Sequence, residues 1–166
     1  MPITKYITGD LLSHPGPIAH GVNCQGKMNS GVARAIRNKY PKVFTAYLDF
    51  ISDLRELDNK FKPLRFSPLG FTNPVYVFRD EVPEKMVLNL FTQDRYGNDG
   101  KQYVDYEAVR KCFANIHNGK GLFRSHEVLG IPKIGAGLGG GDWNIIEQII
   151  NDATPDLEIW VYELER

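Results

Sequence analysis

Apolar positions in this sequence recur every second residue in one segment and at steps of three and four in the next. That alternation of strand-like and helix-like patterns restricts the fold more than any other feature. Residues 3–8 alternate apolar and polar side chains and stop at Gly9-Asp10, a strand ending in a turn. Ile18 to Val22 reads as a second strand. A helix is expected from Val32, with Ala35, Ile36 and Tyr40 at helical spacing, Ser30 as N-cap and Pro41 at the far end. The next helix has Phe44, Tyr47, Leu48, Ile51 and Leu54 on its apolar face. Residues 55–68 read as a charged, Pro-containing connector, followed by extended stretches at Pro68 to Thr72 and Val75 to Phe78 that pair as a hairpin around Asn73-Pro74. The apolar run Met86 to Phe91 predicts an interior strand covered on both faces, ending in the polar segment Thr92 to Gly100. Tyr106, Val109, Phe113 and Ile116 define a third helix, Val128 to Ile131 another interior strand, Trp143 to Ile150 a fourth helix, and Leu157 to Tyr162 a last strand. The pattern predicts an α/β/α sandwich of three layers around a mostly parallel sheet. Its ligand site is expected beyond the carboxyl ends of the strands.

With 166 residues and no long linker, the expectation is a single domain spanning residues 1–166. A chain that is 42% hydrophobic and 24% charged is not a disordered one. Twenty basic residues balance twenty acidic ones, so no chain-wide field draws it to nucleic acid or anionic lipid, and no extended nucleic-acid surface is expected. A phosphate-bearing ligand must be held locally. No apolar run approaches the roughly 20 residues of a membrane span, and the N-terminus lacks the pattern of a signal peptide. A cytoplasmic monomer is the expectation. Cys24 and Cys112 form no CxxC pair, and His14, His20, His117 and His126 form no HxH or HExxH pair, so neither a disulfide framework nor a metal cofactor is expected.

Two glycine-rich loops each join a strand to a helix: Gly26-Lys27-Met28-Asn29-Ser30-Gly31, and Gly135-Ala136-Gly137-Leu138-Gly139-Gly140-Gly141. Glycine lets the backbone approach an oxyanion with its N–H groups inward, and the following helix adds the positive end of its dipole. Such a pair could grip a diphosphate without any Arg or Lys. Both could instead be simple tight turns. The second loop formally matches GxGxxG, but only one helix and one strand follow it, whereas that fingerprint opens a dinucleotide-binding sheet. No GxxxxGK[ST] pattern is present.

These residues resemble a family. Gly9-Asp10-Leu11, Ala19-His20-Gly21-Val22-Asn23-Cys24, Ser30-Gly31-Val32-Ala33 with Ile36 and Tyr40-Pro41, and Ile131-Pro132-Lys133-Ile134-Gly135-Ala136-Gly137-Leu138-Gly139-Gly140 with Trp143 look like a macrodomain over nearly the whole chain. The spacing of His20 before Asn23-Cys24, and Leu90-Phe91-Thr92 followed by Tyr96-Gly97, is most like the yeast-type ADP-ribose 1″-phosphate phosphatases. The resemblance implies a mixed sheet and a ligand that is ADP-ribose or ADP-ribose 1″-phosphate, with no cofactor.

The resemblance also implies roles. Asp10, flanked by Gly9 and Leu11, would accept from the adenine amino group, and Tyr162 would cover the adenine ring. Asn23, between Val22 and Cys24, would meet the distal ribose, Gln93 and Asp94 are placed to reach it, and Thr92 counts among the ligand-binding residues. Met28, Asn29, Ser30, Gly31 and Val32 would form one phosphate loop. The second would run from Pro132 and Ile134 through Gly135, Ala136, Gly137, Leu138 and Gly139. His20 is the catalytic candidate, as acid, base or nucleophile. Each has a structural alternative: a turn cap for Asp10, a turn former for Asn23, core packing for Tyr162 and His20, a solvated loop for Gln93 and Asp94. Asp142 is expected to cap its helix rather than act as an acid.

One departure bears on the reaction. In macrodomain hydrolases that use a lysine to release ADP-ribose from glutamate, that lysine follows the Thr of the Phe-Thr segment and an Asp follows Gly-x-Gly-Leu. Gln93 and Gly139 stand there in this chain. The expected activity is therefore removal of the 1″-phosphate. Hydrolysis of an ADP-ribosylated macromolecule, with Lys27 or Lys101 as the available amines, and binding without turnover are the alternatives.

Overall fold

The structure, a computed structural model, describes residues 1–61, 67–119 and 127–164. The strands are β1 (Ile3–Thr8), β2 (Ile18–Asn23), β3 (Thr72–Arg79), β4 (Val82–Gln93), β5 (Val128–Pro132) and β6 (Glu158–Glu163). The helices are α1 (Gly31–Lys39), α2 (Pro41–Lys60), α3 (Tyr106–Asn118) and α4 (Trp143–Ala153). One six-stranded sheet runs in the order β1-β6-β5-β2-β4-β3. Every neighbouring pair is parallel except β3 with β4, which is an antiparallel edge hairpin.

Alternation along the strands builds the two flanking layers. Ala19, Leu88, Leu90, Leu129, Ile131, Ile159 and Val161 face α3 and α4, meeting Val109, Cys112, Phe113, Ile116, Ile146 and Ile150. Ile18, Val75, Val77 and Val87 turn the other way onto Ile36 and Val43, and Val22 and Phe91 onto Tyr47 and Ile51. Residues 86–92 of β4 are buried throughout, as its unbroken apolar run predicts. No described helix is long and apolar enough to cross a membrane.

Three expectations are corrected. The buried face of α2 is Val43, Tyr47, Ile51 and Leu54, while Leu48 is exposed. That helix continues to Lys60, because Arg55, Glu56 and Lys60 belong to the better helix formers and need no buried stripe to extend it; residues 62–66 of the expected connector lie outside the described residues. The hairpin does not turn at Asn73-Pro74. Both residues lie inside β3, with Pro74 opposite Leu88, and the turn is Asp80-Glu81 between Arg79 and Val82. Proline is tolerated in β3 because an edge strand has one side with no ladder to complete.

Candidate active site

β5, β2 and β4 are adjacent and parallel, so their carboxyl ends come out side by side, and the loops that follow them enclose a cavity of about 430 Å³. The first loop contributes Lys27 through Ala33, and the second Lys133 to Gly135 and Gly137 to Gly139. Thr92, Gln93, Tyr96 and Gly97 close the side beyond β4.

A buried tyrosine shapes the first loop. Tyr47, on α2, is fully buried and stacks on Phe91 with ring centroids 5.5 Å apart. Its hydroxyl accepts from Gly26 N and Lys27 N, and lies 2.7 Å from Asn23 O and 2.8 Å from Asn23 Oδ1. Asn23 completes the loop by accepting from Gln25 N and donating from Nδ2 to Lys27 O. The chain then enters α1 at Gly31, whose φ of +57° favours glycine. Ser30 makes no side-chain cap, so among the described residues the N–H groups of Gly31, Val32 and Ala33 have no acceptor, and all three residues line the cavity.

The second loop is folded on itself. Gly141 N donates to Gly135 O, Gly140 N to Gly137 O, and both Tyr103 N and Val104 N donate to Gly139 O. Gly135 has φ +76°, and a Cβ there would stand 2.6 Å from Val104 Cγ2. The N–H groups of Gly135, Gly137, Leu138 and Gly139 find no acceptor among the described residues. One expectation changes here. The end of α4 is not offered to a ligand, because the Asp142 carboxylate accepts from Asn144 N at 2.9 Å and caps it.

His20 lines the cavity from β2 and is 1% exposed. Nε2 lies 2.6 Å from Asn89 Oδ1, while Nδ1 has no partner among the described residues. Burial pushes its pKa down to about 4, against a smaller upward pull from the Asn89 hydrogen bond, so the ring is neutral at neutral pH. Thr92 is the extra residue where the β2–β4 register shifts, and its buried Oγ1 also has no partner among the described residues.

No family model matches the chain. It is 30% identical over 166 residues to an uncharacterised 17.5 kDa protein from the tk-vs intergenic region of Enterobacteria phage T4, covering 98% of this chain and 97% of that protein. It is 26% identical over 182 residues to the ADP-ribose 1″-phosphate phosphatase of Debaryomyces hansenii, with 97% and 99% covered. A solved macrodomain protein from Streptomyces coelicolor superposes with a TM-score of 0.72 at 25% identity, over 97% of this chain and 98% of that one. The chain belongs to the macrodomain family. It is also 25% identical over 163 residues to the DNA ADP-ribosyl glycohydrolase of Thermus aquaticus, of which it spans 41%.

Most of the residues expected to serve a macrodomain ligand line this cavity. The exceptions are Gly9, Asp10, Leu11, Cys24, Ala136 and Tyr162. Asp10 accepts from Leu12 N at 3.0 Å and caps the short turn Leu11–Ser13. Tyr162 is 8% exposed, and its hydroxyl meets His14 Nδ1 at 2.7 Å while His14 Nε2 meets Val128 O, the contacts of a packed core residue. Burial, with Asp94 nearby, pushes the Cys24 thiol up to about 12, so it is no nucleophile at neutral pH. The cavity also includes Gly21, Lys27, Ala33, Tyr96, Gly97 and Lys133, outside the set chosen from sequence. Lys27 and Lys133 add two basic side chains to a lining read from the sequence chiefly as backbone amides, and Lys133 pairs with Glu163. Lys27 stood inside the first glycine loop and was the signal at hand.

Proposed function

We propose that this macrodomain binds ADP-ribose between its two loops and hydrolyses the phosphomonoester of ADP-ribose 1″-phosphate. The observation that carries the reading is a neutral imidazole, His20, with one ring nitrogen that has no partner among the described residues, in the lining of a cavity whose loops carry amide N–H groups that likewise have none there. Those amides would hold the pyrophosphate and the transferring phosphoryl oxygens without reorganisation. Lys27 would add a positive charge at the rim.

In the step we favour, a water oxygen bonds to phosphorus as His20 Nδ1 takes its proton. The bond from phosphorus to the sugar oxygen breaks, and that oxygen leaves with the electron pair and takes the proton back. The products are ADP-ribose and inorganic phosphate, and the imidazole is neutral again. A base with a pKa of about 4 is weak, but the dianionic substrate would raise it toward the working range.

The experiment is release of inorganic phosphate from ADP-ribose 1″-phosphate by wild type and by His20→Ala, with calorimetry of ADP-ribose binding beside it. A loss on the order of 100-fold or more with binding kept supports the reading. Binding with no release by the wild type makes the protein a recognition module instead. Lys27 supports a second reading, hydrolysis of an ADP-ribosylated macromolecule, because it places a primary amine at the cavity while Gln93 replaces the lysine expected after Thr92. Loss of label from ADP-ribosylated DNA or protein, abolished by Lys27→Met, would establish it.

A further inference from the structure

A polar line crosses the apolar sheet at a single register. His20 on β2 stands opposite Asn89 on β4, and Asn89 stands opposite Asn73 on β3. His20 Nε2 lies 2.6 Å from Asn89 Oδ1, and Asn89 Nδ2 donates to Asn73 Oδ1 at 3.1 Å. On the same face of these strands, the neighbours in either direction are Ile18, Val22, Val87, Phe91 and Val75. Asn89 itself is fully buried in the strand covered on both faces. An amide in that position costs stability unless both of its ends are hydrogen-bonded, and a branched aliphatic would fill the layer better. Packing alone gives no reason for it.

The chemistry of the line does. Asn73 takes the Asn89 N–H, which turns the Asn89 carbonyl oxygen toward His20. A carbonyl oxygen only accepts, so the ring nitrogen facing it must carry hydrogen. A neutral imidazole has one N–H, and the other nitrogen keeps its lone pair. We infer that Asn89, oriented by Asn73, is a positioning residue that holds His20 as the Nε2–H tautomer and so makes Nδ1 the atom that accepts a proton. The inference rests on the phosphatase reading for its catalytic consequence. The tautomer itself does not depend on that reading.

The test reads both. Protein labelled with ¹⁵N at histidine is examined by two-bond ¹H–¹⁵N correlation spectroscopy near pH 7 without substrate, and phosphate release is followed in parallel. In the wild type, His20 is expected as the Nε2–H form. In Asn89→Leu, which has no acceptor, that signature should shift toward the Nδ1–H form or a mixture, and kcat should fall on the order of 100-fold with KM changed only a few-fold. Asn89→Asp keeps an acceptor oxygen and should retain the Nε2–H form. Asn73→Ala, on the edge strand, frees the Asn89 amide to rotate and should give an intermediate mixture, so the idea stays testable if the core variant does not fold. An Nδ1–H wild type overturns the inference, as does a folded Asn89→Leu protein with unchanged tautomer. A wild type that shows the expected tautomer but releases no phosphate removes the phosphatase reading and leaves the positioning intact.

Discussion

The Tyr47 hydroxyl stands 2.8 Å from Asn23 Oδ1, joining a core helix to the end of the central strand β2. Because the same oxygen also accepts from Gly26 N and Lys27 N, one buried side chain sets the path of the loop that leads into α1. Tyr47→Phe keeps the stacking on Phe91 and removes only the oxygen. Two loop amides lose an acceptor, which costs about 1–3 kcal/mol where they stay dry. The expected outcome is that loss in chemical denaturation together with roughly tenfold weaker ADP-ribose binding by calorimetry. Unchanged affinity in a destabilised variant would mean that the loop does not need the clamp.

Acid should weaken the fold through His20. Its folded pKa, about 4, lies below the ordinary histidine value of 6.5, so the unfolded chain binds more protons between those two values. Stability present above pH 6.5 is lost as pH falls toward 4, up to roughly 3 kcal/mol once the fold itself protonates. Burial lowers His14 as well, in the same sense, so the comparison must isolate one ring. Urea unfolding of wild type and His20→Gln at pH 7, 5.5 and 4.5 should give a shallower decline for the variant. Parallel curves would show that His20 is not held neutral by burial.

The second loop should tolerate no side chain at Gly135. Its φ of +76° strains any other residue by about 1–3 kcal/mol, and Val104, which fills the space a Cβ would need, is itself in the core cluster. Gly135→Ala is therefore expected to lower the melting temperature and weaken ADP-ribose binding by at least tenfold, because the amides from Gly135 to Gly139 move together. Gly137→Ala is its control, since nothing lies within 4 Å of a Cβ there and its φ is not in the left-handed region. Equal effects from the two would rule out the loop's rigidity as the cause.

What could be read from the chain follows from where the physics is local. Period-two and helical spacings, together with the apolar run at Met86 to Phe91, placed every strand of the parallel part and all four helices, since each buries one face or two. Both glycine loops were legible for the same reason. Tertiary choices were not. Tyr47 read as an ordinary member of an apolar face, although its hydroxyl organises the first loop. Asn89 was hidden inside an apolar run, because its meaning lies in partners on two neighbouring strands. Tyr162 matched an adenine-covering position by motif, and only the placement of His14 beside it accounts for its packing. The cap at Asp142 was visible, but its consequence, that α4 keeps its dipole to itself, needed the hydrogen bond.

The misplaced hairpin turn leads to a last prediction. Asn73-Pro74 carried the strongest local turn signal in its region, yet the chain turns at Asp80-Glu81, where both residues have positive φ, 51° and 66°. Two-residue turns of this hand match the twist of a hairpin, and glycine is favoured at the second position. Asp tolerates that conformation better than most residues, but Glu does not, so the turn is formed against local preference by the pairing of β3 with β4. Replacing Glu81 with Gly should relieve that strain, offset in part by the greater freedom of Gly in the unfolded chain. A net gain of up to about 1 kcal/mol is expected. The turn lies at the opposite end of β4 from Thr92 and Gln93, and none of its residues lines the cavity. Equilibrium unfolding of Glu81→Gly should therefore show a higher midpoint with the same slope, and phosphate release and ADP-ribose affinity should match the wild type. A lower midpoint would mean that the Glu81 side chain contributes more than its backbone strain costs.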